Sequence, residues 1–131
     1  MDEPIDLGRI TQDVYAVGAE SDHIVPWYAA WRITQLVGGR VRFVMASSGH
    51  IAGIINPVAS KKGAYWVDET GRPAVGPEEW RERAERHEGS WWTDWTAWLS
   101  ERSGGKSKAR GVGSKSHPPV ADAPGTYVLE K

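Results

Sequence analysis

Two side chains with complementary proton chemistry stand just after two apolar stretches of this sequence. Asp22 follows the stretch Val14–Ala19, and His50 follows Val41–Ala46. An imidazole accepts and returns a proton near neutral pH, and a carboxylate beside it fixes its tautomer and stabilises the imidazolium that forms. An aspartate and a histidine held together would therefore make two thirds of a catalytic triad.

The elements that must bring these side chains together are a strand, a helix and a second strand. Both apolar stretches have strand-like composition, and the residues from Pro26 to Val37 have helical spacing, with Pro26 suited to the first turn and Gly38-Gly39 as a stop. A helical crossover between two strands implies that they are parallel and that their exit loops share one sheet edge. We expect Asp22 and His50 side by side at the carboxyl edge of an α/β sheet, where such folds place their sites. The apolar stripe of the helix, expected to face the sheet, is Ala29, Ala30, Ile33, Leu36 and Val37.

Blander interpretations of the same residues stay open. An aspartate or histidine after a strand is often a loop cap or a surface group, and Ser21 and Asp22 would suit such a cap. His23 adjoins Asp22 and is a candidate for supporting the site or for simple packing. The four histidines show no metal-ligand spacing, so the sequence predicts no metal.

The sequence contains no nucleophile of the kind that such a pair activates. It has no cysteine and no Gly-x-Ser-x-Gly motif, and Ser47 and Ser48 do not sit on a strand-to-helix elbow. Two parallel strands alone do not form a stable sheet covered on both faces. We therefore expect an incomplete sheet, the back end of a larger catalytic domain whose nucleophile lies upstream of Met1.

The second half of the chain contains further helices and many tryptophans. Five of the eight tryptophans lie between residues 80 and 98, which favours a core over an exposed contact face. After an extended piece at residues 64–67, the pattern predicts a helix from Pro77 to Gly89 and another over residues 93–102 with Thr93 as its N-cap. The expected inner face of the first of these helices is Trp80, Ala84 and His87, and that of the second is Trp91, Trp95, Trp98 and Leu99.

Composition changes after residue 102 and divides the chain into three predicted parts. Residues 1–102 form the α/β part, and residues 103–119, rich in Gly, Ser, Lys and Pro, read as a disordered linker. Residues 120–131 are predicted to be a C-terminal docking tail that begins near the Pro124-Gly125 turn.

Overall charge and composition exclude several classes of function. The 16 basic and 17 acidic residues create no net field that would attract nucleic acid or an anionic membrane. The absence of cysteine excludes disulfides and thiolate metal sites. No apolar run reaches the roughly 18 residues of a membrane span, and the first residues lack the features of a signal peptide. A cytoplasmic protein is the expectation.

Several motifs, in order, resemble the C-terminal part of the class I poly(3-hydroxyalkanoate) synthases. The matching segments are Ser21–Trp27, Phe43–Gly53, Gly89–Trp95 and Pro124–Val128, and the resemblance covers nearly the whole chain. Two departures are Val58, where a second proline often follows Asn56-Pro57, and Thr93, where a proline often precedes Asp94.

The resemblance implies an α/β-hydrolase-type catalytic domain with a Cys-Asp-His triad. Such enzymes are acyltransferases that polymerise (R)-3-hydroxyacyl-CoA into a polyester stored in cytoplasmic granules, with release of coenzyme A and no cofactor. Carried over by position, His50 would activate the cysteine, and Asp22 would orient His50 or assist deprotonation of the incoming 3-hydroxyl. His23 and Trp27 would shape the site. A homodimer, or association with a full-length synthase, is implied as well.

Without its nucleophile this fragment is expected to be inactive alone. Two other interpretations of the sequence compete with that of a synthase fragment. The first is a non-catalytic module that binds polyester granules or a full-length synthase through its tryptophan-rich helices. The second is a fragment of an esterase or depolymerase, against which the Ser21–Trp27 and Ser48–Gly53 motifs argue.

Overall fold

Four β-strands form one mixed sheet in the computed structural model, which describes residues 4–68 and 75–130. In the described ranges the strands are β1 (Val14–Ala19), β2 (Val41–Ala46), β3 (Ala64–Val67) and β4 (Glu85–Glu88), and they lie side by side in chain order. β1 and β2 are parallel, with Val14 opposite Val41 and Ala19 opposite Ala46. The other two strand pairs are antiparallel. The predicted α/β class and the parallel β1–β2 pair are confirmed.

Alternate residues of a strand point to opposite faces of the sheet. In this sheet, side chains pack against both faces. On one face Phe43 and Met45 form a core with the indoles of Trp27, Trp31 and Trp80. On the other face Val44, Tyr65 and Val67 pack together, with Tyr15 and Trp91 against them. The tryptophans at positions 27, 31 and 80 are therefore core residues, whereas Trp91 is partly exposed.

The crossover helix between β1 and β2 is present but differs from the prediction in two respects. It is divided into α1 (Trp27–Trp31) and α2 (Ile33–Leu36), with Pro26 just before the first turn. The residues it buries are Trp27, Trp31 and Thr34. Of the predicted stripe, Val37 is buried just after the helix, Ala30 and Ile33 are partly buried, and Ala29 and Leu36 are exposed. Gly18 explains the difference, because a Cβ there would lie 3.3 Å from the Trp27 Cα. The bare strand lets α1 lie close, and two indoles one turn apart fill the space beside it.

The predicted helix from Pro77 to Gly89 is wrong in its second half. The helix α3 (Pro77–Arg83) ends early, and residues 85–88 instead form β4 on the open edge of β3. Trp80 is buried as predicted, but His87 lies in the strand and stacks on Tyr65 with ring centroids 5.0 Å apart. Charged residues in a short edge strand are a usual protection against further strand pairing.

The last helix, α4 (Trp92–Arg102), begins one residue before the predicted cap Thr93. Trp91 occupies the N-cap position without a side-chain cap, and the Ser90 hydroxyl before it accepts a hydrogen bond from the Trp92 backbone N–H at 3.1 Å. No helix in residues 4–68 or 75–130 is long and apolar enough to cross a membrane.

Beyond α4 the described chain has one short 3-10 helix, Tyr127–Leu129, and almost all of its side chains are exposed. The apolar side chains of that helix are exposed too, with Tyr127 at 79%. The linker at 103–119 and the docking role of 120–131 stay predictions. The sequence between the extended piece at 64–67 and Pro77, in which Gly71, Pro73 and Gly76 predict a loop, includes residues 69–74, which lie outside the described ranges.

Candidate active site

The loops that leave β1 and β2 continue the hydrogen bonding of the two strands. The Glu20 N–H donates to the Ala46 carbonyl at 2.8 Å, and the Ser21 N–H donates to the Ser48 carbonyl at 2.9 Å. The two loops therefore run side by side for two residues past the sheet. Asp22 and His50 come next, which confirms the prediction that they meet at the carboxyl edge.

Asp22 is held by three hydrogen bonds to its carboxylate. Oδ1 accepts from the backbone N–H groups of Ile24 and Val25, each at 2.9 Å, and Oδ2 lies 2.8 Å from His50 Nδ1. The Val25 N–H, together with His50 and the Ile24 N–H, lowers the pKa of Asp22 to about 2 against the opposing effect of burial. This carboxylate is ionised throughout the neutral range.

The protonation of His50 follows from that of its partner. An ionised carboxylate has no proton to donate, so the proton of the 2.8 Å contact lies on Nδ1 of His50. In the neutral imidazole Nε2 then carries the lone pair. Among the described residues no hydrogen-bond partner contacts Nε2, and the side chain is 43% exposed. The pair is therefore built to accept a proton at Nε2 and to stabilise the resulting cation through Asp22.

The two serines near His50 have different surroundings, and neither is joined to it by a described contact. The Ser47 hydroxyl accepts a hydrogen bond from the Ala64 backbone N–H at 2.9 Å and thereby fixes the start of β3. Ser48 adopts a left-handed backbone conformation with φ of 79°, and its side chain is exposed. No contact described for either hydroxyl joins it to His50.

The turn after His50 is held by tryptophans that the sequence pattern assigned to a core. Residues 51–54 form a hydrogen-bonded turn, in which the Gly53 N–H donates to the Gly49 carbonyl at 2.8 Å. The indole N–H of Trp91 donates to the Gly53 carbonyl at 3.1 Å, and that of Trp92 donates to the Ile54 carbonyl at 3.0 Å. A Trp-Trp pair opening a helix is a weak sequence signal for such contacts, because the acceptor carbonyls lie 38 residues away.

Helix α4 is attached to the sheet by a partly buried polar cluster. Asp94 accepts hydrogen bonds from the Tyr15 hydroxyl at 2.7 Å and from Arg42 Nε at 2.8 Å, and a second Arg42 nitrogen contacts its other oxygen. These bonds lower the pKa of Asp94 although burial works in the opposite direction. Burial and the Asp94 carboxylate raise the pKa of Tyr15.

The two residues predicted to support the site lie in different surroundings. His23 is exposed, in the turn that carries the Asp22 carboxylate. Trp27 is 7% exposed and packs in the core, with its ring 6.0 Å from that of Trp80. No group of three or more acidic or histidine side chains suited to a metal ion occurs in the part of the chain described.

Exposed apolar side chains follow both Asp22 and His50 in the sequence. Ile24 and Val25 follow the aspartate and are 61% and 44% exposed, and Ile51 and Ile55 follow the histidine and are 69% and 64% exposed. Large exposed apolar groups beside a polar site indicate a surface that another element covers or a ligand contacts.

Comparison with known proteins supplies relatives over nearly the whole sequence. The chain is 43% identical over 129 residues to the poly(3-hydroxyalkanoate) polymerase subunit PhaC of Cupriavidus necator, a match that covers 98% of this chain and 22% of that protein. It is 43% identical over 129 residues to poly(3-hydroxyalkanoate) polymerase 2 of Ectopseudomonas oleovorans, covering 98% of this chain and 23% of the relative. The PhaC subunit of Rhizobium etli is 38% identical over 128 residues. No protein-family model matches. The chain thus spans about a fifth of the length of these relatives.

Proposed function

We propose that this chain, which over its length is homologous to a segment of the poly(3-hydroxyalkanoate) polymerases, supplies the aspartate and the histidine of their acyl-transfer chemistry. The observation that carries the proposal is the 2.8 Å contact between His50 Nδ1 and Asp22 Oδ2, which leaves Nε2 without a hydrogen-bond partner among the described residues in a side chain that is 43% exposed. In this proposal the substrate is an (R)-3-hydroxyacyl-CoA thioester and the product is a polyester.

The geometry supports a general-base role for His50. Nε2 takes the proton of a cysteine thiol, and the thiolate attacks the thioester carbonyl of the substrate. The bond between the acyl carbon and the coenzyme A sulfur breaks, and the imidazolium returns the proton to the departing thiolate. Asp22 keeps the Nδ1 proton in place and stabilises the cation between the two transfers.

The cysteine must come from polypeptide outside the sequence given, because these 131 residues contain none. Two features support the packing of such polypeptide at this edge of the sheet. The His50 side chain is 43% exposed, and the isoleucines that follow Asp22 and His50 in the sequence present exposed apolar surface. We infer that the chain forms part of an α/β-hydrolase-type domain and that, by itself, it does not sustain coenzyme A release. Association with cytoplasmic polyester granules belongs to the same proposal.

A chimaeric polymerase tests the roles of both residues. This chain replaces the homologous 129-residue stretch of the Cupriavidus necator polymerase, and coenzyme A release from (R)-3-hydroxybutyryl-CoA is followed with a thiol reagent. We expect His50→Gln to slow release by roughly 10²–10⁴-fold, as for loss of a general base, and Asp22→Asn to slow it strongly too.

The matched control is His117→Gln, which removes an exposed imidazole from the segment after α4 and should change the rate little. A folded chimaera in which His50→Gln retains the parent rate would refute the general-base role. Sustained coenzyme A release by the isolated chain, lost in His50→Ala, would contradict the inference that it is inactive alone.

A further inference from the structure

We propose that Trp91 and Trp92 are positioning residues for His50, because their indole N–H groups hold the turn that keeps the imidazole against Asp22. The importance of that orientation for catalysis rests on the proposed function, whereas the positioning itself does not.

Three consecutive side chains before and at the start of α4 meet the turn. The Ser90 hydroxyl donates to the Asn56 carbonyl, the Trp91 indole to the Gly53 carbonyl, and the Trp92 indole to the Ile54 carbonyl. Ser90 is buried, with 5% of its surface exposed. Together these donors, which we call the indole clamp (Ser90, Trp91 and Trp92), cover the carbonyl end of the turn.

The clamp is needed because the turn ends abruptly. Its later N–H groups bond within the turn: Gly53 donates to the Gly49 carbonyl at 2.8 Å, and Ile54 and Ile55 donate to the Ile51 carbonyl at 3.1 and 2.8 Å. The carbonyls of its last residues have no further helical turn to donate to them, because Asn56-Pro57 stops it. The indoles supply donors that the turn itself lacks.

The clamp also connects the turn, through helix α4, to the two strands that carry the site. Asp94, two residues after Trp92, is bonded to Tyr15 of β1 and Arg42 of β2. Asp22 follows β1 and His50 follows β2, so one helix start fixes the His50 turn to the strands that place both partners. The sheet and the clamp thus hold the two ends of the segment between β2 and Asn56.

The orientation of His50 depends on this backbone because the side chain itself has little other support. The imidazole is 43% exposed, and Asp22 is its one polar partner among the described residues. The Asp22 carboxylate is fixed by the Ile24 and Val25 N–H groups. If the backbone at Gly53, three residues from His50, shifted by a few tenths of an ångström, the imidazole would move relative to that carboxylate.

The test follows the His50 tautomer by ¹⁵N chemical shifts in the intact 131-residue chain at a pH where the imidazole is neutral. His50→Gln identifies the resonances among the four histidines. We expect the Nδ1–H form to dominate in the parent chain and to fall in Trp91→Phe, in Trp92→Phe and most of all in the double variant. Trp95→Phe is the control, because it removes an indole from the same helix. Trp95 is 39% exposed, and its indole N–H donates to no described residue.

A second measurement needs no substitution and covers the case in which the double variant fails to fold. Hydrogen exchange of the indole N–H groups in the parent chain should be several-fold slower for Trp91 and Trp92 than for Trp95. Equal exchange at all three indoles, or an unchanged His50 tautomer in folded variants, would overturn the proposal. Neither readout uses polymerase activity, so an inactive chimaera with a clamped His50 would count against the proposed function alone.

Discussion

Removal of the Asp94 carboxylate should destabilise the whole chain, because it is the polar anchor between α4 and the sheet. In Asp94→Ala the Arg42 guanidinium loses one anionic partner and the Tyr15 hydroxyl loses its acceptor. The Asp94 side chain is 11% exposed and that of Arg42 is 23% exposed, so water replaces these contacts only in part.

The expected cost follows from that burial. Breaking a fully buried ion pair by removing one partner costs about 3–5 kcal/mol, and the partial exposure of Arg42 lowers our expectation to roughly 2–4 kcal/mol. In a chain of this size each kcal/mol corresponds to a decrease in Tm of about 3–5 °C. We therefore expect the Tm to fall by about 6–20 °C.

Urea unfolding followed by tryptophan fluorescence, together with a thermal scan, measures the effect on the free energy of unfolding. Glu79→Gln is the control, because its pair with Arg83 is exposed on α3 and should contribute under about 0.5 kcal/mol. The double variant Asp94→Leu with Arg42→Met removes both charges of this pair and should recover much of the loss.

The pH dependence has a definite sign. The pKa of Asp94 is lowered in the folded chain, so the carboxylate contributes stability above the pKa of the unfolded state and loses it as the pH falls through the folded value. The difference between the parent chain and Asp94→Asn should therefore shrink in acid. An Asp94→Ala cost as small as that of Glu79→Gln, or a difference that grows in acid, would refute the reasoning.

Two further predictions concern the site itself. Asp22→Asn should destabilise the chain at neutral pH. Because the pKa of Asp22 in the folded chain is about 2, the difference in the free energy of unfolding between parent and variant should shrink between pH 4 and pH 2. Unfolding at a series of pH values measures this difference, and a constant value would contradict the prediction. Gly53→Ala should cost about 1–3 kcal/mol in urea unfolding, since its Cβ would lie 2.8 Å from the Ser47 carbonyl oxygen, whereas Gly105→Ala, with nothing within 4 Å, should be neutral.

The strands beside the site could be predicted because their signals are local. Val14–Ala19 and Val41–Ala46 are apolar runs of strand length, and the crossover between them fixes their parallel direction. The meeting of Asp22 and His50 then follows from topology alone. Their hydrogen bond is an outcome of two exit loops that run side by side.

The features that could not be predicted depend on distant partners. Glu85–Glu88 has no apolar pattern of its own and becomes a strand because β3 offers an open edge. The side of α1 that faces the sheet depends on Gly18, because the absence of a side chain there allows Trp27 to pack closely against the strand. The indoles of Trp91 and Trp92 find their acceptors in a turn that is fixed only by the tertiary structure.

The hydrogen bonds that continue the β1–β2 ladder into the exit loops make chain length as important as residue identity at this edge. The Glu20 N–H is bonded to Ala46 and the Ser21 N–H to Ser48. The positions of Asp22 and His50 relative to each other are therefore set by the number of residues between each of them and its strand. One inserted residue on either side would displace one partner by about 3.3 Å relative to the other, more than the whole length of their hydrogen bond. During divergence, insertions and deletions should therefore be excluded from these two short loops, while substitutions at their exposed positions accumulate freely.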